Sequence, residues 1–267
     1  MAITTVDGAL AGMQYPRTFA KAVTGTMVAG RPHSLFYLAG IPGAAVAPTP
    51  GAAGAALTTY AGQIPFTNPV SGNSYLARFQ GQATIAGTLV LADRLWHNSG
   101  IVVTTTTAQT INSVAFPARD VAGSTNGDGV RIGLEVSTAT GAGAATPSIS
   151  YTDQSGNAGA TGSMEVAYAA SSIAGTFYPF TLAAGDTGVR SIQTYTGSVS
   201  MTSGTVHLVA YRELARLELT AANVPSAIDA LTSGFPRMFD NTVPFIFFIP
   251  STTTPSNISG SVVYTQG

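Results

Sequence analysis

Along much of this chain apolar and polar residues alternate with a period of two, the pattern of strands that bury one face. The clearest run is 130–136, where Val130, Ile132, Leu134 and Val136 fall on one face and Arg131 and Glu135 on the other. Within 85–95, Ile85, Leu89 and Leu91 share a face. Inside 101–111, Thr104 to Thr107 set four β-branched residues in a row, which favours strand. Runs at 148–151 and 164–168 flank the turn-forming stretch Asp153 to Gly159 and read as a hairpin. Runs at 177–182, 189–201, 205–219, 242–249 and 258–264 complete the set. In 205–219 the alternation is mixed before Arg212 and regular after it, through Ala215, Leu217 and Leu219, so a bulge or bend is predicted near 212–214.

One segment reads as a short helix. Asn223 can cap it, Pro225 sits where a helix start tolerates proline, 227–231 are compatible, and Gly234 can stop it. About ten strands with turn signals between them, and no alternating helices, predict an all-β chain: an antiparallel β-sandwich, jelly-roll-like in topology. Two stretches stand outside this grammar. Residues 40–56 hold Gly, Pro and Ala with no charge and no period, and 62–73 are also irregular. The predicted organisation is therefore an N-terminal arm or small β lobe over 1–74 and a sandwich domain over 75–267. Asp128-Gly129-Val130-Arg131 is echoed by Asp186-Thr187-Gly188-Val189-Arg190. Both pass from an acidic turn into a strand, which shared turn grammar explains at least as well as duplication.

Composition sharpens this picture. Hydrophobic residues make up 45% of the 267, enough for a core, so disorder is not expected. Charged residues are only 9%, against about 25% in an ordinary soluble domain. Ala, Gly, Ser and Thr fill the gap, with 130 of 267 positions. Either the surface is built from these small residues or partners cover much of it. Net charge is −1 and Lys21 is the sole lysine, which argues against nucleic acid as a partner. No apolar run approaches the roughly 18 residues of a membrane span. The start, MAITTVDGALAGM, lacks the basic and long apolar stretches of a signal peptide. With no cysteine there is no disulfide and no thiolate metal site. Arginine outnumbers lysine ten to one. Interfaces favour arginine over lysine, and genomic base composition can produce the same bias.

Chemistry is sparse. There is no HExxH, no GxSxG elbow, and Lys21 follows Ala20 rather than a glycine-rich loop. His33, His97 and His207 are far apart, and the twelve acidic residues are scattered singly. Glu213 and Glu218, five apart on a strand pattern, point to opposite faces. No catalytic residue, cofactor or bound metal is predicted, and the chain is not expected to be an enzyme. The loop 120–129 offers oxygen ligands from Asp120, Ser124, Asn126 and Asp128 for calcium. A turn feeding the strand at Val130 is the plainer reading. Trp96, beside His97, is either a sugar-stacking platform or core. Phe245 to Ile249 is apolar on both faces, so it is a central strand or one whose outer face meets another chain. Arg212, Arg216, Phe247 and Phe248 are the interface candidates.

TFYPFTLAAGDTGVRSIQ, HLVAYRELARLEL, AIDALTSGFPRMFDNTVPFIFFIPSTTT, LADRLWHNSG and SYTDQSGNAGATG resemble stretches in a group of tailed-bacteriophage head-associated structural proteins. The resemblance covers about two-thirds of the chain and carries over no functional residue. It implies a virion component made in the host cytoplasm and placed on the phage head surface, a decoration or cement protein. The implied partners are the major capsid protein and further copies of itself, commonly as a homotrimer. Two alternatives stand beside it: a carbohydrate- or receptor-binding module of a phage fibre, and a self-assembling jelly-roll shell protein.

Overall fold

A computed structural model describes residues 3, 5–234 and 236–267. The chain opens with helix α1 (Val6–Ala11). Strands β1 (Arg17–Val23), β2 (His33–Ser34), β3 (Gly40–Ile41) and β4 (Ala55–Ala56) follow. Then come β5 (Ser74–Ala83), β6 (Gly87–His97), β7 (Ala108–Thr110), β8 (Val130–Thr138) and β9 (Ser148–Asp153). Next are β10 (Ala158–Met164), β11 (Phe177–Thr181), β12 (Val189–Thr196), β13 (Thr205–Leu219) and β14 (Ser226–Asp229). Helix α2 (Ala230–Ser233) precedes β15 (Arg237–Met238), β16 (Pro244–Pro250) and β17 (Ser256–Gln266). The fold is all-β with two large antiparallel sheets, of the β-sandwich class.

Two compact units divide the chain, and the break is not at residue 74. Unit 1 takes Met1–Ala45, Thr58–Asp93 and Glu213–Gly267; unit 2 takes Val46–Leu57 and Arg94–Arg212. In unit 1 the sheet order is β14-β5-β17-β1-β3, with β15 also on β5. β1 pairs along its length with β17, Arg17 opposite Val262 and Val23 opposite Ser256, so residues 17–23 share a sheet with the C-terminal strand and do not make an arm or a β lobe of their own. Within the same unit β16 lies between β2 and the 87–93 part of β6. Phe19 and Phe79 meet in its core at 6.2 Å between ring centroids, and Phe36 meets Phe245 at 5.8 Å.

Unit 2 carries the order β13-β8-β11-β10-β9-β12-β7, with β4 paired to the 94–97 part of β6. A β9–β10 hairpin forms, closed by the 153–157 turn, but its return strand is 158–164, starting inside the predicted turn, and not the expected 164–168. Its core gathers Trp96, Ile132, Leu134, Tyr151, Tyr178 and Leu208.

Local expectations change at several places. Thr104 to Thr107 lie in turn and irregular backbone, and of the predicted 101–111 run only Ala108–Thr110 is strand. Residues 226–229 pair with 78–81 of β5 instead of opening a helix, and only 230–233 are helical. A free edge on β5 supplies more hydrogen bonds than one extra helical turn would, so pairing overrides propensity. Helix α1 was not expected; Thr5 caps it by accepting from the Gly8 N–H at 3.0 Å, and six residues are too few to show a period. β13 is unbroken through 212–214. Its register slip against β8 lies at Thr205/Val206, and the phase change in its second half is the pair Leu214–Ala215, both buried.

Candidate functional site

Where β8 should turn Glu135 outward, the strand is covered on both sides, and residues 132–136 are all buried. Glu135 therefore needs an internal partner. Arg94 supplies it: Nη2 lies 2.7 Å from Oε2, and both side chains are fully shielded from solvent. Arg94 Nε also donates to His97 Nδ1 at 3.2 Å. Across the β13–β8 ladder His207 sits opposite Glu135. Its Nδ1 is 2.8 Å from the Asn98 carbonyl, which can only accept, so Nδ1 carries the proton. Its Nε2 then accepts from Ser137 Oγ at 2.7 Å. Asn98 accepts the Leu208 N–H and donates to Ala52 O. Arg119 donates to the carbonyls of Leu57 and Arg94.

Burial, reinforced by the charge on Arg94 and then by His207, pushes the His97 pKa down to about 2. Burial also lowers that of His207, against the opposing pull of its bond to Asn98 and of Glu135. Ser137 and His207 hold the hydroxyl–imidazole geometry and tautomer that a nucleophile needs. Burial lowers His207's proton affinity, and the nearby carboxylate is paired with Arg94. The arrangement ties buried polar groups from several strands to one another. The one sequence hint was Arg94, His97 and Asn98 inside LADRLWHNSG; Glu135, Ser137 and His207 come from distant strands and Arg119 from the 117–120 segment.

The loop predicted as a calcium candidate is satisfied from within. Asp120, 1% exposed, accepts from the N–H groups of Ala122, Ser124 and Gly127 and from Ser124 Oγ. Burial raises the Asp120 pKa, and the hydrogen bonds from Ser124, Ala122 and the Asp128 backbone outweigh it and hold it below the usual carboxylate range. Asp128 Oδ1 accepts from Thr187 Oγ1 at 2.6 Å. Among the described residues no three His, Asp or Glu side chains cluster as metal ligands. The echoed turns lie side by side: Asp128 bridges Gly188, and Gly129 N–H donates to Thr187 O at 3.2 Å. A Cβ on Gly188 would fall 1.9 Å from Gly127 O, so glycine is required for that approach.

Trp96 is core, fully buried, with Nε1 donating to Ala53 O at 3.1 Å and its ring 5.5 Å from Phe116. It offers no platform to a sugar. Phe247 and Phe248 are also covered within unit 1, at 3% and 0% exposure, because β16 runs between two strands and is packed on both faces. Arg212 is buried as well. Of the four interface candidates Arg216 alone stays on the surface, in a bidentate pair with Glu213 at 2.8 and 2.9 Å. The sole lysine is internal: Lys21 Nζ donates to the carbonyls of Leu38, Pro42 and Gly43, and burial pushes its pKa down to about 8. Sequence reasoning gave no sign of the apolar side chains left outside. Val6, Leu10 and Tyr15 are 72%, 60% and 87% exposed, and the first two line a groove of about 810 Å³ with Met13, Tyr75, Ala77 and Ile228.

No family model matches this sequence, and no curated protein matches it. Among solved structures, the crystal structure of the infectious bursal disease virus VP2 subviral particle aligns with 96% of this chain and 80% of that chain. The identity is 8% and the TM-score 0.20.

Proposed function

We propose that this chain is a non-enzymatic structural protein of a virion, which binds the outside of a bacteriophage capsid and stabilises it as a decoration or cement protein. The observation that carries the reading is where the charges are. Eight of the 23 charged side chains are buried, Lys21, Arg94 and Glu135 among them, which leaves fifteen for the surface of a 267-residue chain. Soluble surfaces usually carry about 25–35% charged residues. Here valines, leucine and tyrosine stand exposed among small neutral residues. Such a surface suits a chain whose neighbours cover it. The resemblance of its sequence to phage head proteins points the same way.

The mechanism would be burial of apolar area across junctions between capsid subunits. Each Å² contributes roughly 25 cal/mol, less the cost of association. The partners are the major capsid protein and further copies of the chain, as a homotrimer. The test is to add the purified chain to expanded phage heads, then measure co-sedimentation and resistance to heat. Light scattering of the free chain should give about three times 27.1 kDa. Failure both to bind and to protect heads overturns the reading, and closed particles formed by the chain alone would replace it with a self-assembling shell protein.

A further inference from the structure

We propose that unit 2 contains an acid-sensitive latch at His97, because a proton on its Nδ1 is incompatible with the bond that Arg94 makes there. The argument starts from donors and acceptors. Arg94 Nε is a permanent donor, and at 3.2 Å it requires a lone pair on His97 Nδ1. His97 in the closed network is therefore neutral and carries its proton on Nε2. A second proton removes that bond and sets an imidazolium against a guanidinium, with exposures of 2% and 0%.

The charges around it are mostly of the same sign. Arg94 faces His97 from its own strand, Glu135 approaches from β8, His207 from β13, and Arg119 reaches the Arg94 carbonyl from the 117–120 segment. That is two permanent cations and one carboxylate, and the carboxylate is already paired with Arg94 at 2.7 Å. An additional buried cation there is strongly unfavourable. Acid releases this cost by opening the 94–97 strand to water.

His207 is built differently and is not the sensor. Its Nδ1–H already donates to Asn98 O, and its Nε2 meets a hydroxyl that can either donate or accept. A second proton reverses the Ser137 bond without losing it, and Glu135 lies opposite on the ladder. His33, whose Nε2 accepts from the Val28 N–H, belongs to unit 1. The latch holds whether or not the capsid reading does.

Trp96, the sole tryptophan and the chain neighbour of His97, gives a local readout. Its fluorescence is followed while the whole chain is titrated from neutral pH downward. His97→Asn keeps an acceptor near the Nδ1 position and cannot be protonated; His207→Asn keeps a donor to Asn98 O. The expected result is a reversible acid transition that His97→Asn moves at least about half a pH unit lower and His207→Asn, whose ring burial also disfavours as a cation, moves by less. An unmoved midpoint in His97→Asn, or an equal shift in both variants, overturns the proposal. Should His97→Asn fail to fold, imidazole NMR of the unaltered chain decides. His97 must then stay a neutral Nε2–H ring until the Trp96 signal changes, and ordinary titration within the folded state overturns the latch.

Discussion

Replacing Gly54 by alanine tests whether the Gly/Ala/Pro-rich segment is part of the core. Gly54 has φ +71, and a Cβ there would lie 2.3 Å from the indole Cε2 of Trp96. Carbon atoms in contact sit about 3.5–4 Å apart, so the indole or the 51–56 backbone must move by more than an ångström. Trp96 has little room: it is fully buried, rests on Phe116, and donates to Ala53 O at 3.1 Å. Left-handed backbone costs a non-glycine residue about 1–2 kcal/mol. Overpacking adds about 1–3 kcal/mol, and a strained Trp96–Ala53 bond about 1. The stiffer unfolded chain offsets about 0.5 kcal/mol. Gly54→Ala should therefore lose about 3–5 kcal/mol. Gly51→Ala is the matched control: φ is +87, but a Cβ meets nothing within 4 Å. Only the backbone strain applies, and the loss should be about 1 kcal/mol. Urea denaturation read by Trp96 fluorescence measures both variants. If Gly54→Ala loses no more than Gly51→Ala, the packing of this segment on Trp96 is refuted.

Two further outcomes are expected. Glu135→Gln leaves the Arg94 guanidinium buried without its counter-charge and should cost about 3 kcal/mol or more. Glu213→Gln breaks an exposed pair and should cost under about 1; equal shifts of the two urea midpoints would contradict the buried network. Lys21 has its folded pKa lowered from 10.5 to about 8 by burial. Between those values the unfolded chain keeps a proton that the folded chain has shed, so stability should rise with pH through the window and be lowest below it. Lys21→Met should abolish that rise, and urea midpoints for both chains at the two ends of the window check it.

The alternation of 130–136 was enough to place β8, and the turn after Asp153 enough to place β9 and the reversal that follows it, because both depend on residues adjacent in sequence; the return strand begins at 158, inside the expected turn, and not at 164. What could not be read was which faces are covered twice. Period two sends Glu135 outward, but packing on both sides of β8 turns an apparent surface carboxylate into half of a buried pair. The same double coverage makes Phe247 and Phe248 core rather than interface. Residues 40–56 look irregular because their order is tertiary: Gly40 closes on the Ala20 carbonyl, and Gly54 on Trp96. The polar network was invisible for a similar reason. Arg94 and Glu135 are 41 residues apart, and Asn98 and Leu208 are 110 apart.

The scarcity of surface charge and the acid latch share one cause. A chain in which nearly half the residues are Ala, Gly, Ser or Thr has few bulky side chains to tell one strand neighbour from another. Wrong registers bury almost the same area, so apolar packing alone discriminates weakly among them. A buried charge discriminates strongly, since any register that parts Arg94 from Glu135 leaves both in a dry interior. Lys21 acts in the same way on the 38–43 segment, where its ammonium meets three carbonyls. Asp120 does so on the loop ahead of β8. Charges placed inside to fix the fold are no longer outside to keep copies apart. They also tie the folded state to the protonation of the histidines packed among them.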